Sequence, residues 1–247
     1  MLANSQARMR RGIASSLVAD LQKYSAVQAA LLFGSSARGD AQPESDIDLL
    51  VIAGNEDGLR DLRSALRIAR RARRLRSVSM TMHTWQSLDA LRTEDWSFTR
   101  HLVDEGIPLL DPQQSLLPFL LPEWPSEAAR RREMTARCAE LDRYDDLARF
   151  SGDFFFPLVN IYIVAKQLVI LANAHSGLLE FRRQQAFDRA REFYPASANA
   201  LSHLQSLCPL YHLKTGRRPR AISLPLNDEH FVAVSLQALR EFVGEVR

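Results

Sequence analysis

Leu31-Leu32-Phe33-Gly34-Ser35-Ser36-Ala37-Arg38-Gly39-Asp40, followed by Ser45-Asp46-Ile47-Asp48-Leu49-Leu50-Val51-Ile52, decides how this chain is read. An apolar run ends in Gly-Ser, and after a spacer of ten residues Asp-x-Asp opens a second apolar run. Asp46 and Asp48 stand two apart at the start of a strand, so both carboxylates point to one face. Two carboxylates at that range repel, and keeping both ionised calls for a cation between them. Carboxylate and phosphate oxygens together suit Mg²⁺ (or Mn²⁺), which seldom has an all-protein cage. The Gly34-Ser35 turn allows close backbone approach and offers N–H donors to a phosphate. The pattern points to metal-assisted phosphoryl or nucleotidyl transfer, with Asp46 and Asp48 as catalytic metal ligands.

The motif Gly-Ser-x-Ala-Arg-Gly followed by Ser-Asp-Ile-Asp-Leu resembles the nucleotidyltransferase superfamily that includes DNA polymerase β. Within it, the likeness is to minimal nucleotidyltransferases and aminoglycoside nucleotidyltransferases. The segment His101 to Leu109 resembles the end of many minimal nucleotidyltransferase domains. This resemblance implies ATP as substrate and transfer of AMP to a hydroxyl on a small molecule, a protein or an RNA such as tRNA. It implies nucleotide-binding roles for Gly34, Ser35, Arg38 and Ser45. It also implies a triphosphate contact for Lys166, on a helix facing a cleft between two domains. A salt bridge from Arg38 to Asp40 or Glu44 is the other reading of that arginine. A toxin–antitoxin partner or a homo-oligomer is a further expectation.

The 247 residues suit one large domain or two small ones. Lys and Arg total 32 against 29 Asp and Glu, a net charge of +3 that does not by itself mark a nucleic-acid binder. Cys138 and Cys208 lie far apart without metal-ligand spacing, and read as reduced thiols. Met1 to Arg11 is polar and basic, with no apolar leader segment behind it. Pro157 to Ala174 is the longest apolar helix candidate, but Asn160, Lys166 and Gln167 make it read as buried rather than spanning. A cytoplasmic protein with no membrane partner is expected.

The pattern predicts an α/β (α+β) domain with a short mixed sheet over residues 1–112. A Pro-rich linker is expected over 113–126, then an all-α helical bundle over 127–247. Helical spacing covers Ser5 to Tyr24 and Leu59 to Leu75; strands are expected at Val27 to Phe33, Ile47 to Ala53 and Val78 to His83. Prolines 112, 118, 122 and 125 break regular structure. Beyond them helices are expected over Glu127 to Phe150, Pro157 to Ala174, Leu178 to Phe193, Ala196 to His212 and Asp228 to Val246. This half loosely resembles HEPN bundles, yet none of its histidines follows an arginine at the spacing of HEPN ribonucleases. The arginine-rich stretch Arg60 to Arg76 reads as a solvated face, with RNA contact as the sharper alternative.

One part of the family pattern is missing. Most active members carry a third acid on a later strand, as metal ligand or general base. Here Val78, Met80 and Met82 share one face of that strand and Ser79, Thr81 and His83 the other, with no carboxylate. A base is then expected from His83, Glu94, Asp95 or the acids Glu140, Asp142, Asp145 and Asp146. The alternative is a partly degenerate site in an antitoxin or a regulatory nucleotide-binding protein.

Overall fold

The structure, a computed structural model, describes residues 2–23, 27–41, 45–73, 78–121, 126–214 and 224–246, with backbone alone for 2–6 and 68–73. The chain divides into two compact units, Met1–Trp124 and Pro125–Arg247.

The first unit is built on four strands: β1 (Val27–Phe33), β2 (Ile47–Ala53), β3 (Val78–Thr84) and β4 (Ile107–Leu110). They lie in the order β3-β2-β1-β4. β1 runs antiparallel to both β2 and β4, while β2 and β3 are parallel, so the sheet is mixed. Both central strands are buried on two faces, which explains their continuous apolar sequences.

Alternation sorts their side chains into two layers. Ala30, Leu32, Leu49 and Val51 pack with α1 (Leu2–Gln22) and α3 (Glu56–Arg73). Leu31, Phe33, Leu50 and Ile52 face the other way. They pack on Leu88 of α4 (Trp85–Glu94), Leu102 of α5 (Trp96–Glu105) and Leu116 and Leu120 of α6 (Leu116–Leu120). Asp48 has the parity of Leu50 and Ile52, so the sheet directs it toward the α5 layer. The short helix α2 (Ser35–Arg38) joins β1 to the loop before β2.

Two features of this unit correct the sequence reading. The segment expected as a linker over 113–126 carries α6, whose Leu116 and Leu120 are fully buried. Pro118 fits because the first turn of a helix has no internal use for its N–H. The basic helix α3 starts at Glu56, and Leu59, Leu62, Ala65 and Leu66 form its inner face. Arg60, Arg63 and Arg67 are exposed, as a solvated face requires, whereas the side chains of Ile68 to Arg73 and residues 74–77 lie outside the described set.

The second unit surrounds α8 (Phe155–His175) with α7 (Glu127–Ala139), α9 (Arg183–Phe193), α10 (Ala198–Ser206), α11 (Cys208–Lys214) and α12 (Glu229–Val246). By length and hydropathy α8 is long and apolar enough to cross a membrane. It is instead largely buried, with Leu158, Val159, Ile161, Leu168 and Leu171 at 0% exposure, as a central bundle helix should be.

The expected long helices here are shorter. Glu127–Phe150 ends as α7 at Ala139, followed by two 3-10 turns that fold Leu141, Tyr144 and Leu147 into the core. Leu178–Phe193 begins only at Arg183, because Gly177 at φ +80° terminates α8 and the chain then runs irregularly. Ala196–His212 splits at Leu207, since Pro209 cannot bond back to the preceding turn.

If α6 belongs to the core, Leu120→Ala will lower unfolding free energy by about 2–5 kcal/mol, the usual cost of a buried leucine. Urea denaturation measures it. A loss within about 0.5 kcal/mol, as for a surface change, would restore the linker reading.

Candidate nucleotide and metal site

The site begins where β1 ends. Phe33 is in register with Asp48, so the Gly34 turn lies directly beside that carboxylate. Gly34 adopts φ 70° and ψ −155°, a region essentially reserved for glycine. A Cβ on Gly34 would sit 2.7 Å from Asp48 Oδ2. Two independent constraints, backbone conformation and space, therefore require glycine at this position.

Several contacts hold the turn and the acidic loop together. The N–H groups of Ala37 and Arg38 donate to the Gly34 carbonyl, each at 3.0 Å. Ser36, fully buried, donates from Oγ to the Asp46 carbonyl at 3.2 Å. Arg10 of α1 is buried and donates to the Ser45 carbonyl, and Arg11 donates to the Ala37 carbonyl at 2.7 Å. Gly39 ends α2 in the left-handed region at φ 89°.

Arg38 pairs with Asp40 at 3.2 Å, as one sequence reading expects, and also with Glu105 at the end of α5. His101 Nε2 lies 2.6 Å from the same Glu105 carboxylate. The His101 ring meets Phe33 edge-on, with centroids 5.6 Å apart. Glu105 thus ties the Gly34–Gly39 turn to α5 through Arg38, whose side chain is 21% exposed. Glu44 lies outside the described residues.

The sheet brings together Gly34, Ser35, Ser45, Asp46 and Asp48. Lys166 is half-buried in α8 of the second unit. Sequence reasoning passed over Arg10, Ser36, His101 and Glu105. Arg10 was detectable as a charge in an otherwise amphipathic helix, whereas Ser36 and Glu105 become meaningful only through contacts distant in sequence.

Asp46 and Asp48 fit a magnesium site of the kind completed by phosphate oxygens. Among the described residues, no group of three or more His, Cys, Asp or Glu is gathered to hold a metal alone. The parallel register places Ser79 opposite Asp48, Thr81 opposite Leu50 and His83 opposite Ile52. His83 is thus about 13 Å along the strand from the acid's level. It bonds Ser87 at 3.1 Å, and burial holds its pKa below the ordinary value.

Asp95 caps α5, accepting from the Phe98 N–H at 3.0 Å, and Glu94 is exposed at the end of α4. Asp145 pairs with Arg240 at 2.6 Å and Glu140 with Arg137 at 3.1 Å, both within the second unit. Asp142 and Asp146 are exposed.

Gly34→Ala tests the turn. The substitution is expected to destabilise the protein by about 1–3 kcal/mol through backbone strain. It should also displace Asp48 and weaken Mg²⁺-dependent nucleotide binding. Unchanged urea midpoint and unchanged affinity for a non-hydrolysable ATP analogue would contradict the described approach of turn and acid.

Comparison with known proteins agrees with this geometry. The polymerase beta nucleotidyltransferase family model matches residues 16–115, which span all four strands and the acid pair. No curated protein matches the chain. Spectinomycin adenyltransferase AAD(9) from Enterococcus faecialis, solved with ATP and spectinomycin, aligns at a TM-score of 0.54 and 15% identity. That alignment covers 91% of this chain and 98% of the other, and shows a shared fold. A nucleotidyltransferase-like protein from Exiguobacterium sibiricum aligns at 17% identity and a TM-score of 0.35, over 98% of this chain and 79% of its own. A toxin–antitoxin structure with AMP-PNP aligns at 19% identity and a TM-score of 0.31, over 54% of this chain and 98% of its own. Neither of these two scores is high enough to bear on function. The similarity to the polymerase beta nucleotidyltransferase family thus falls within the first unit, over residues 16–115.

Proposed function

We propose that this protein is a Mg²⁺-dependent nucleotidyltransferase that moves AMP from ATP to a hydroxyl of a small molecule, protein or RNA. The observation that carries the reading is the Gly34 turn lying against Asp48, so close that a Cβ on Gly34 would fall 2.7 Å from Oδ2. It sets phosphate-binding backbone and metal-binding carboxylate side by side. Asp46 and Asp48 would hold the metal, which, when bound, neutralises charge on the phosphates and the departing pyrophosphate.

The chain's own groups divide the remaining work. The Gly34-Ser35 turn binds phosphate through backbone N–H groups. Ser45, whose carbonyl accepts from Arg10, keeps the loop before Asp46 in place. Arg38, engaged by Glu105 and Asp40, braces the turn. Lys166 is the second unit's candidate for the triphosphate. Cys138 and Cys208, not joined in a disulfide, suit a reduced, cytoplasmic setting.

A second reading is favoured by one observation, the neutral Ser79 paired with Asp48 where a carboxylate would complete the site. In that reading the protein binds nucleotide as a regulatory subunit or antitoxin and acts through a partner. General-base help is typically worth roughly 10²- to 10⁴-fold, so an enzyme without it turns over slowly.

Transfer of label from α-³²P ATP to purified protein, RNA and a panel of hydroxylated small molecules, with Mg²⁺, decides between them. Asp46→Asn and Asp48→Asn should each reduce transfer by about a hundredfold or more, since metal charge stabilisation is worth several kcal/mol. Wild-type transfer in both variants would sink the assignment. Mg²⁺-dependent binding with no transfer to any acceptor would support the regulatory reading.

A further inference from the structure

The second unit contains an open cavity of about 510 Å³ between α8, α9, α10 and α11. Its lining is unusual in charge. Arg183 and Arg191 enter it from one face of α9, and the described lining residues include no carboxylate. Gln184, Gln205, Ser202 and Ser206 supply amide and hydroxyl groups around the two guanidiniums. Tyr162 and Phe187, ring planes 7° apart, are buried beneath it at 1% and 0% exposure.

The two arginines differ. Arg191 is neutralised: it pairs with Asp188 at 2.5 Å and donates to Gln205 Oε1 at 2.8 Å. Arg183 has only neutral partners among the described residues. Its guanidinium donates to His212 Nε2 at 2.7 Å and toward Cys208 Sγ at 3.9 Å, and it stacks on the Tyr211 ring at 5.1 Å. A guanidinium lowered into a protein wall loses hydration, and neutral neighbours do not return the Coulomb energy that a counter-ion would. Tyr162, only 1% exposed, cannot serve as that counter-ion, because burial first and the neighbouring Cys208 second push its pKa upward and keep its hydroxyl protonated.

We propose that this cavity binds a phosphate monoester of a hydroxyl-rich small molecule, with the phosphate on Arg183. The ligand supplies the missing negative charge. A planar guanidinium fork matches phosphate oxygens in pairs. The Ser202 and Ser206 hydroxyls donate to the Ala198 and His203 carbonyls, which leaves their oxygens to accept from ligand hydroxyls. The ligand is distinct from the nucleotide assigned to Asp46 and Asp48, and its binding does not depend on transfer chemistry.

Calorimetric titration of the full chain in EDTA with ribose 5-phosphate, and with ribose as its uncharged counterpart, tests this. Ribose 5-phosphate should bind at least tenfold more tightly than ribose. Arg183→Gln should weaken it tenfold or more. Because Arg183 is half-buried, Gln184→Glu serves as a second variant: it is isosteric, exposed, and adds a competing negative charge to the lining. It too should weaken binding at least tenfold, with circular dichroism unchanged.

Asp48→Ala should leave the affinity as it is, and saturating ATP with Mg²⁺ should not displace ribose 5-phosphate. Equal affinity for the two sugars, or wild-type affinity in Gln184→Glu, would overturn the proposal. So would loss of binding in Asp48→Ala or displacement by ATP, either of which would assign the phosphate to the nucleotide's own site.

Discussion

The contact between the Gly34 backbone and the Asp48 carboxylate is the constraint on which the first unit depends. With 2.7 Å between a would-be Cβ and Oδ2, the end of β1 and the start of β2 share a volume that admits no side chain. Antiparallel pairing of β1 with β2 produces this approach, since Phe33 and Asp48 are opposite one another. The positive φ of Gly34 then turns the chain immediately into α2. The Gly34-Ser35 turn and the Asp48 carboxylate become neighbours through sheet register alone, without a long loop to order.

The surrounding polar contacts serve that approach. Arg10 and Ser36 bond the backbone at Ser45 and Asp46, and Glu105 fastens Arg38 from the far side. These groups are buried or nearly so, where removing one partner leaves an expensive unsatisfied atom. The turn is therefore over-determined, the condition under which a glycine-only backbone conformation persists. The second unit is organised differently, around an apolar central helix, and two arginines of α9 line its cavity.

The strands of the site were legible because their sequences leave little choice. Val27–Phe33 and Ile47–Ala53 are apolar runs closed by Gly-Ser and Gly-Asn, and both were bounded correctly. Alternation at Val78, Met80 and Met82 also placed Ser79 on the acid's face, which the register with Asp48 bears out. What sequence concealed was tertiary. α6 hid among prolines because its reason to fold is the buried surface offered to Leu116 and Leu120, not local propensity. Glu105 carries no local signal of its role, because Arg38 and His101 converge on it from 67 and four residues away. Nothing in the sequence separates Arg183 from its neighbour, yet in the fold Arg182 finds Glu180 while Arg183 finds only neutral groups among the described residues.

The most direct test of the central claim is a crystal structure of the full chain with Mg²⁺ and a non-hydrolysable ATP analogue. The account predicts a metal ion between Asp46 and Asp48, with triphosphate oxygens on the backbone N–H groups of the Gly34-Ser35 turn. An analogue bound elsewhere, with no metal density beside the two aspartates at saturating Mg²⁺, would contradict it.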